Sequence, residues 1–259
     1  MKRAGFVGVV TAAVVMMVAG AGWGQTGAKA GTDEWYKWSA LGRAEATGYF
    51  HVVKAASGEK EAPVVFTHEF VAKLQGKRMS LKMQTWCRND EWFTPMRIVS
   101  EGQGSDEFNT FEARINWPAG EGAGRLTARV NTRKEVAVQV LGGMVKRIEM
   151  EIPPRTATSF SVFEIVKGRP FDKEKVFEFN SLEAEELNLK KDHKLTYVGP
   201  EELEIGGEKV KLHKFEETGG GIRPTQYWVN EAHQLVRVVM DEEKEFLLTT
   251  EEKAKAGVQ

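Results

Sequence analysis

Apolar and polar residues alternate one by one along several segments of this chain, and this period of two constrains the fold more than any other feature. In Lys77–Trp86, the residues Met79, Leu81 and Met83 alternate with polar ones. The segment Arg125–Asn131 alternates in the same way. Successive side chains of a β-strand point to opposite faces of a sheet, so this spacing predicts strands with one buried and one solvated face. The sequence therefore predicts a mainly β fold built on an antiparallel sheet.

Other segments look like strands with less regular alternation, and turn residues separate them. Glycines stand between strand-like runs at Gln75–Lys77 and Ile205–Glu208, where a tight hairpin requires positive φ. Valines alternate with other residues in Val136–Val140, which predicts one more strand. Further strand-like runs occur at residues 48–54, 64–74, 92–100, 108–117, 176–179, 194–198, 210–215, 226–230, 235–240 and 246–249. Many short strands at close spacing favour an antiparallel architecture.

Helical spacing occurs in two places. Trp35, Trp38 and Leu41 recur every three residues after a suitable cap at Asp33, so we predict a short helix within Asp33–Ala46. Around residue 153, two consecutive prolines end the strand pattern, and apolar residues with helical spacing follow them. This second pattern predicts a crossover with a short helix at about residues 152–168, with a bulged strand as the alternative.

The first residues have the organisation of a secretory signal peptide. Lys2 and Arg3 precede the uncharged run Phe6–Ala19, and small residues follow it up to Gly22. The run is shorter than the ~20 residues of a transmembrane helix. We therefore predict that residues 1–25 are a cleaved signal and that the protein is exported, to the periplasm or the extracellular space. An uncleaved anchor is the alternative.

The mature chain, residues 26–259, is predicted to be one β-rich domain. We place an N-terminal β half at about residues 47–150 and a C-terminal β half at about residues 170–250, on either side of the crossover. The mature protein is expected to be soluble and not to span a membrane. Its charged tail, from Glu251 onward, is expected to fray.

Charge and cysteine content argue against two classes of protein. Lysine and arginine number 36, and aspartate and glutamate number 37. No net positive field is present to hold phosphates, so we expect no nucleic-acid partner. The single cysteine, Cys87, allows no internal disulfide. Its position after Trp86 in a strand-like run predicts a buried, inert thiol.

Residue types that catalyse reactions or bind metals show no recognised spacing. The five histidines form neither H-x-x-x-H nor H-E-x-x-H. His68 alternates with Phe66 and Phe70, which predicts a packed or groove-lining histidine and not a metal ligand. Exposed positions are expected for the other four, which are His51, His193, His213 and His233. The chain also lacks the G-x-S-x-G and S-x-x-K motifs and a dinucleotide fingerprint. The sequence therefore predicts no catalytic residue, no metal ligand and no cofactor.

The hairpin Tyr227–Met240 contains the one candidate for a ligand contact. Alternation places Tyr227 and Val229 on one face of its first strand and Trp228 on the other. We expect one face to pack on the short helix near Phe160. The other face is expected to line a concave interior, where Trp228 either fills the core or touches a ligand. Core filling is the commoner fate of a strand tryptophan and is the interpretation that we favour.

The second half of the chain contains a series of hairpin segments that can be compared with known families. They are Pro153-Pro154 with Phe160–Phe163, Tyr197–Glu201 with Leu203, Lys211–Phe215, Tyr227–Asn230 and Leu235–Val238. This series resembles uncharacterised exported bacterial proteins of the lipoprotein-localisation-factor (LolA/LolB-like) half-barrel superfamily. The resemblance implies a strongly curved, half-barrel-like antiparallel sheet with one or two short helices. Carriers of that superfamily hold acyl chains inside the half-barrel, but a hairpin pattern implies fold more than activity.

Two hypotheses for function follow. The first is an exported soluble binding or carrier-like module, without catalytic activity, for a hydrophobic lipid-like ligand or for another envelope protein. The second is a periplasmic hydrolase whose acidic residues or histidines converge only in the fold. An apolar cavity of several hundred Å³ would favour the first hypothesis. Clustered ionisable groups with perturbed pKa values would favour the second.

Overall fold

The computed structural model describes residues 31–41, 43–104, 110–120, 122–131 and 145–258. The predicted signal peptide and the strand predicted at Val136–Val140 lie outside these residues. Within them, fifteen strands form one sheet, accompanied by two short helices. The mainly β fold expected from the alternating segments is confirmed. The described helices fall short of the length and hydrophobicity that a bilayer-spanning helix requires.

The strands follow one another as two antiparallel meanders that lie side by side. Strands β1 to β8 each pair with the next, β10 to β15 do the same, and β1 joins the two series by pairing with β15. The strands are β1 (Thr32–Ala40), β2 (Arg43–Ala56), β3 (Val64–Leu74), β4 (Lys77–Cys87), β5 (Pro95–Gln103), β6 (Thr110–Asn116), β7 (Gly124–Asn131), β8 (Val145–Ile152), β9 (Thr156–Thr158), β10 (Val176–Glu183), β11 (Asn188–Ile205), β12 (Glu208–Thr218), β13 (Thr225–Val229), β14 (Leu235–Met240) and β15 (Lys244–Thr249). The helices are α1 (Val162–Lys167) and α2 (Glu251–Ala256).

The sheet curves until it is nearly closed. Strands β8 and β9 lie at opposite ends of the strand order, yet only residues 153–155 separate them in the chain. The four Cα–Cα steps from Ile152 to Thr156 span at most about 14 Å. The two edges must therefore approach each other, which produces a barrel-like sheet. Strand β9 pairs with β10 in parallel because helix α1 returns the chain to the end where β9 began.

Helix α1 lies on the inner side of this curved sheet, and its residues from Val162 to Val166 are all buried. The ring of Phe163 lies 5.4 Å from that of Phe50 and 5.7 Å from that of Phe246, between centroids. It also lies 6.1 Å from the ring of Tyr227. One aromatic side chain thus packs against strands of both meanders. The short helix predicted after the two prolines is confirmed.

The helix predicted within Asp33–Ala46 is wrong, because β1 and the beginning of β2 occupy this segment. Strand β1 pairs with β2 on one side and with β15 on the other. Tyr36 and Trp38 are buried inside the sheet, whereas Lys37 between them is exposed. Pairing on both edges outweighs the weak helical spacing of the tryptophans.

The C-terminal tail is ordered into helix α2, contrary to the expectation that it frays. The Thr250 hydroxyl accepts the backbone N–H of Lys253 and so caps the helix. Ala254 is buried against Tyr49 and Val71 on the outer face of the sheet. One apolar side chain and a capping residue therefore hold a segment that is otherwise highly charged.

Candidate functional site

Three hairpin turns meet at one end of the barrel-like sheet. They are residues 184–187 between β10 and β11, 219–224 between β12 and β13, and 241–243 between β14 and β15. In an antiparallel meander every second turn lies at the same end of the sheet, so these three turns are neighbours. Beside them is a pocket of about 430 Å³, here named the mouth pocket. Its lining residues are Ser159, Ser181, Glu183, Glu185, Lys190, His193, Glu217, Gly221, Ile222, Arg223, Thr225, Tyr227, Met240, Asp241 and Glu243.

A buried hydrogen-bonded network contributes three of these side chains, from neighbouring strands β11, β12 and β13. His193 Nδ1 lies 2.6 Å from Oε1 of Glu217, and the Tyr227 hydroxyl donates a hydrogen bond to Oε2 of the same carboxylate. The three residues are each at most 4 % exposed. Both oxygens of Glu217 therefore have a partner away from water.

The chemistry of this network follows from its burial. Burial, and then the adjacent Glu217 carboxylate, raise the pKa of Tyr227 well above its usual value, so its phenol stays protonated and donates. A carboxylate that accepts from Nδ1 of a neutral imidazole leaves the lone pair on Nε2. Glu217 thus orients His193 for hydrogen bonding or proton transfer at Nε2.

The Nε2 atom of His193 is buried and has no hydrogen-bond partner within the described residues. It lies against the turn that contains Gly219, Gly220 and Gly221. A Cβ built on Gly220 would be only 2.0 Å from Nε2. The φ angles of the three glycines are 98°, 60° and 71°. Only glycine adopts this left-handed region freely, and at position 220 only glycine leaves room for the imidazole.

Carboxylates outnumber basic groups in the mouth pocket. Glu183 is already paired, because Lys190 Nζ lies 2.8 Å from it and Asn188 donates to it. Glu185 accepts a hydrogen bond from the Ser159 hydroxyl at 3.2 Å, and burial raises the pKa of Glu185. With Glu217, Asp241 and Glu243, the lining contains five carboxylates against one lysine and one arginine. The pocket therefore has an excess of negative charge.

Apolar side chains also line this pocket, including Ile222 and Met240. The pocket thus differs from the apolar cavity expected of a carrier for a purely hydrophobic ligand. It has instead the clustered ionisable groups that would favour the hydrolase hypothesis, together with an apolar portion.

Trp228, the ligand-contact candidate from the sequence, lies on the face of the hairpin that points away from helix α1. Its neighbour Tyr227 packs on that helix, whereas Trp228 clusters with Leu212 and Val239 on the outer side of the sheet. The indole N–H donates to Glu201 at 2.9 Å. The expected position in the concave interior is therefore wrong, because alternation turns Tyr227 inward instead.

His68 is packed as predicted, whereas the exposure predicted for the other four histidines is wrong, since His51 and His233 are half-buried. The His68 ring is 2 % exposed and lies parallel to the rings of Phe50 and Phe66. His193 and His213 are buried, although exposed positions were expected. Both face the inner side of their strands, and the His213 ring stacks on Phe171 at 3.6 Å. The alternation around them contains this signal, because His193 is in phase with Leu195 and Tyr197 and His213 is in phase with Phe215.

The described part of the chain holds no group of three or more His, Cys, Asp or Glu side chains that could bind a metal ion. Cys87 is buried, as predicted, and burial raises the pKa of its thiol. The thiol therefore stays protonated and is a poor nucleophile.

Comparison of the whole chain with protein-family models, with curated proteins and with solved structures gave no significant match.

Proposed function

We propose that this protein is an exported binding or carrier module whose ligand occupies the mouth pocket. The observation that supports the proposal is the pocket itself. Its volume of about 430 Å³ lies within the range of small-molecule sites. It is also the place where ionisable side chains from several strands and turns converge.

The ligand that best fits this pocket is a small amphipathic molecule. Its polar group would contact the ionisable side chains, and its apolar part would contact Ile222 and Met240. Helix α1 occupies the interior with its apolar side chains, including Phe163. A long, purely apolar ligand would have to displace this helix, so the mixed pocket favours a shorter ligand with a polar head.

Export and membership of the LolA/LolB-like superfamily remain part of this proposal. Export rests on the organisation of the first residues, from Lys2 to Gly22. Membership of the superfamily is proposed from the hairpin series in the second half of the chain. A nearly closed sheet is compatible with such membership. N-terminal sequencing of secreted material should show a mature chain that begins between about Gly22 and Thr26. A sequence beginning at Met1 would contradict cleavage.

Filling the mouth pocket tests the binding function directly. We expect Ile222→Trp to remove a co-purifying ligand detected by native mass spectrometry of the mature protein. Val198→Trp is the matched control, because Val198 is an exposed apolar residue outside the pocket lining. Loss of the ligand in both variants, or in neither, would place the binding site elsewhere.

The His193–Glu217 pair favours a second candidate function, hydrolysis. In the neutral imidazole, Nε2 can accept a proton from a water molecule that attacks a substrate carbonyl. Gly220 lies against this atom, so the turn has to shift before water reaches it. Turnover of p-nitrophenyl acetate by the parent, lost in a folded His193→Gln variant, would support this candidate. Equal turnover by both would refute it.

A further inference from the structure

We propose that the ligand of the mouth pocket carries a primary ammonium group, that is, a positively charged donor of hydrogen bonds. This inference rests on the proposed binding function and specifies the chemical class of the ligand. Two independent observations support it. They are the excess of carboxylates around the pocket and the buried Nε2 of His193, which has no hydrogen-bond partner among the described residues.

The carboxylates differ in how much of their charge is already compensated. Glu183 is bonded to Lys190, and Glu217 is bonded to His193 and Tyr227. Asp241 is less satisfied, since its nearest ion-pair partner, Lys244 Nζ, is 3.7 Å away and partly exposed. A concave site with excess negative charge concentrates cations. Asp241 is therefore the carboxylate most available to a cationic ligand.

His193 supplies the second observation. When the imidazole has its single proton on Nδ1 and donates it to Glu217, Nε2 is an acceptor. A buried acceptor without a donor is unfavourable, because the hydrogen bond to water that it lost on folding is not replaced. A ligand N–H would remove that cost, whereas a carboxylate or phosphate ligand would place two acceptors against each other. Donor chemistry and positive charge occur together in a primary ammonium group.

The basic side chains of the pocket argue against an anionic ligand. Lys190 Nζ is held 2.8 Å from Glu183, and Arg223 lies 3.4 Å from Glu243. Each cation therefore already faces a carboxylate. An anion would have to break these pairs and then lie close to Asp241.

Contact between the ligand and Nε2 requires a shift of the Gly219–Gly221 turn. In the present conformation the Cα of Gly220 lies against the imidazole, as the 2.0 Å approach of an added Cβ shows. Three successive glycines have no side chain to obstruct a change of φ and ψ. The turn can therefore rearrange at lower cost than a turn of other residues.

Four probes with the same C8 chain test the inference on the mature full-length protein by isothermal titration calorimetry at pH 7.5 and low salt. They are octylammonium, octyltrimethylammonium, 1-octanol and octanoate. We expect octylammonium to bind about tenfold more tightly than octyltrimethylammonium, which has the charge but no N–H. Octanol should bind more weakly still, and octanoate weakest. Raising the salt concentration should weaken the binding of both cationic probes and leave the binding of octanol unchanged.

Asp241→Asn should weaken octylammonium binding by about five- to tenfold and leave octanol binding unchanged. Asn tolerates the left-handed conformation of Asp241, whose φ is 55°, so this variant should fold normally. Glu208→Gln, on an exposed hairpin tip, is the control and should have no effect.

The possible failures have distinct meanings. Octanol or octanoate binding as tightly as octylammonium would overturn the ammonium inference and leave the binding function standing. Equal affinity for the primary and quaternary ammonium probes would overturn the role of the His193 acceptor. Absence of binding by all four probes would count against the proposed site as a whole.

Discussion

His193 and Glu217 are 24 residues apart in the chain, yet their side chains share a buried hydrogen bond of 2.6 Å. The register of β11 and β12 explains the contact. Glu217 pairs directly with Leu195, two residues beyond His193, so the two side chains are diagonal neighbours on the inner face. Strand pairing alone thus brings an acid and an imidazole together without any local motif.

Removing the carboxylate of Glu217 should destabilise the fold strongly. In Glu217→Ala, both the His193 ring and the Tyr227 hydroxyl lose their buried partner. Breaking a buried pair from one side costs about 3–5 kcal/mol. Urea unfolding of the variant should show a loss of that size, and Glu208→Ala at an exposed turn should change little. A loss below about 0.5 kcal/mol in Glu217→Ala would show that the network contributes nothing net.

His68 should make stability depend on pH. Burial lowers the pKa of His68 from 6.5 to about 3. Above pH 6.5 the ring is neutral in both the folded and the unfolded chain, so the free energy of unfolding is highest there with respect to this residue. As the pH falls below 6.5, His68 becomes protonated in the unfolded chain but stays neutral in the folded protein. The free energy of unfolding therefore decreases progressively towards pH 3. At pH 5 the loss amounts to roughly 2 kcal/mol, at about 1.4 kcal/mol per pH unit.

His68→Phe is expected to remove that part of the pH dependence. Phenylalanine retains the flat shape between Phe50 and Phe66 and introduces no unpaired nitrogen. At pH 7.5 the variant should therefore be at least as stable as the parent. The change in unfolding free energy between pH 7.5 and pH 5 should be about 2 kcal/mol smaller in the variant. Identical changes in both proteins would contradict a buried neutral His68.

The sequence predicted the fold where one face of a segment is apolar. Met79, Leu81 and Met83 turn one face of β4 towards the interior, and the burial of Leu81 and Met83 follows from local alternation. The two prolines at 153–154 marked the crossover because proline cannot continue a strand ladder. In contrast, β1 is misassigned, because pairing on both of its edges outweighs local spacing, and one partner, β15, lies more than 200 residues away in the chain.

The candidate site could not be predicted from the sequence for a similar reason. His193, Glu217 and Tyr227 come from three strands. Only Tyr227 lies within a run that alternation predicts as a strand, and His193 and Glu217 lie just outside the runs 194–198 and 210–215. The run Gly219-Gly220-Gly221 stands out locally, but by itself it is typical of any flexible loop. Its requirement for glycine becomes clear only when the His193 ring is placed against it.

Trp228 should act through stability alone. Its ring packs on Leu212 and Val239, and its N–H is bonded to Glu201. Trp228→Ala should cost about 3–5 kcal/mol, the usual price of deleting a buried aromatic ring. Ligand affinity of the folded fraction should not change, because Trp228 does not line the mouth pocket. A variant that melts like the parent but loses ligand would instead assign Trp228 to a binding site.

Gly220 and its neighbour Gly221 provide a test of the close approach to His193. Both have left-handed φ angles, so alanine at either position should cost about 1–2 kcal/mol in backbone strain. An added Cβ at Gly221 meets nothing within 4 Å, whereas at Gly220 it would collide with Nε2 at 2.0 Å. Gly220→Ala should therefore lose at least about 1 kcal/mol more than Gly221→Ala in urea unfolding, because overpacking a well-filled interior typically costs about 1–3 kcal/mol. It should also shift the His193 ring signals in NMR spectra, which Gly221→Ala should leave in place. Equal losses and unchanged His193 signals would show that the turn does not press on the imidazole.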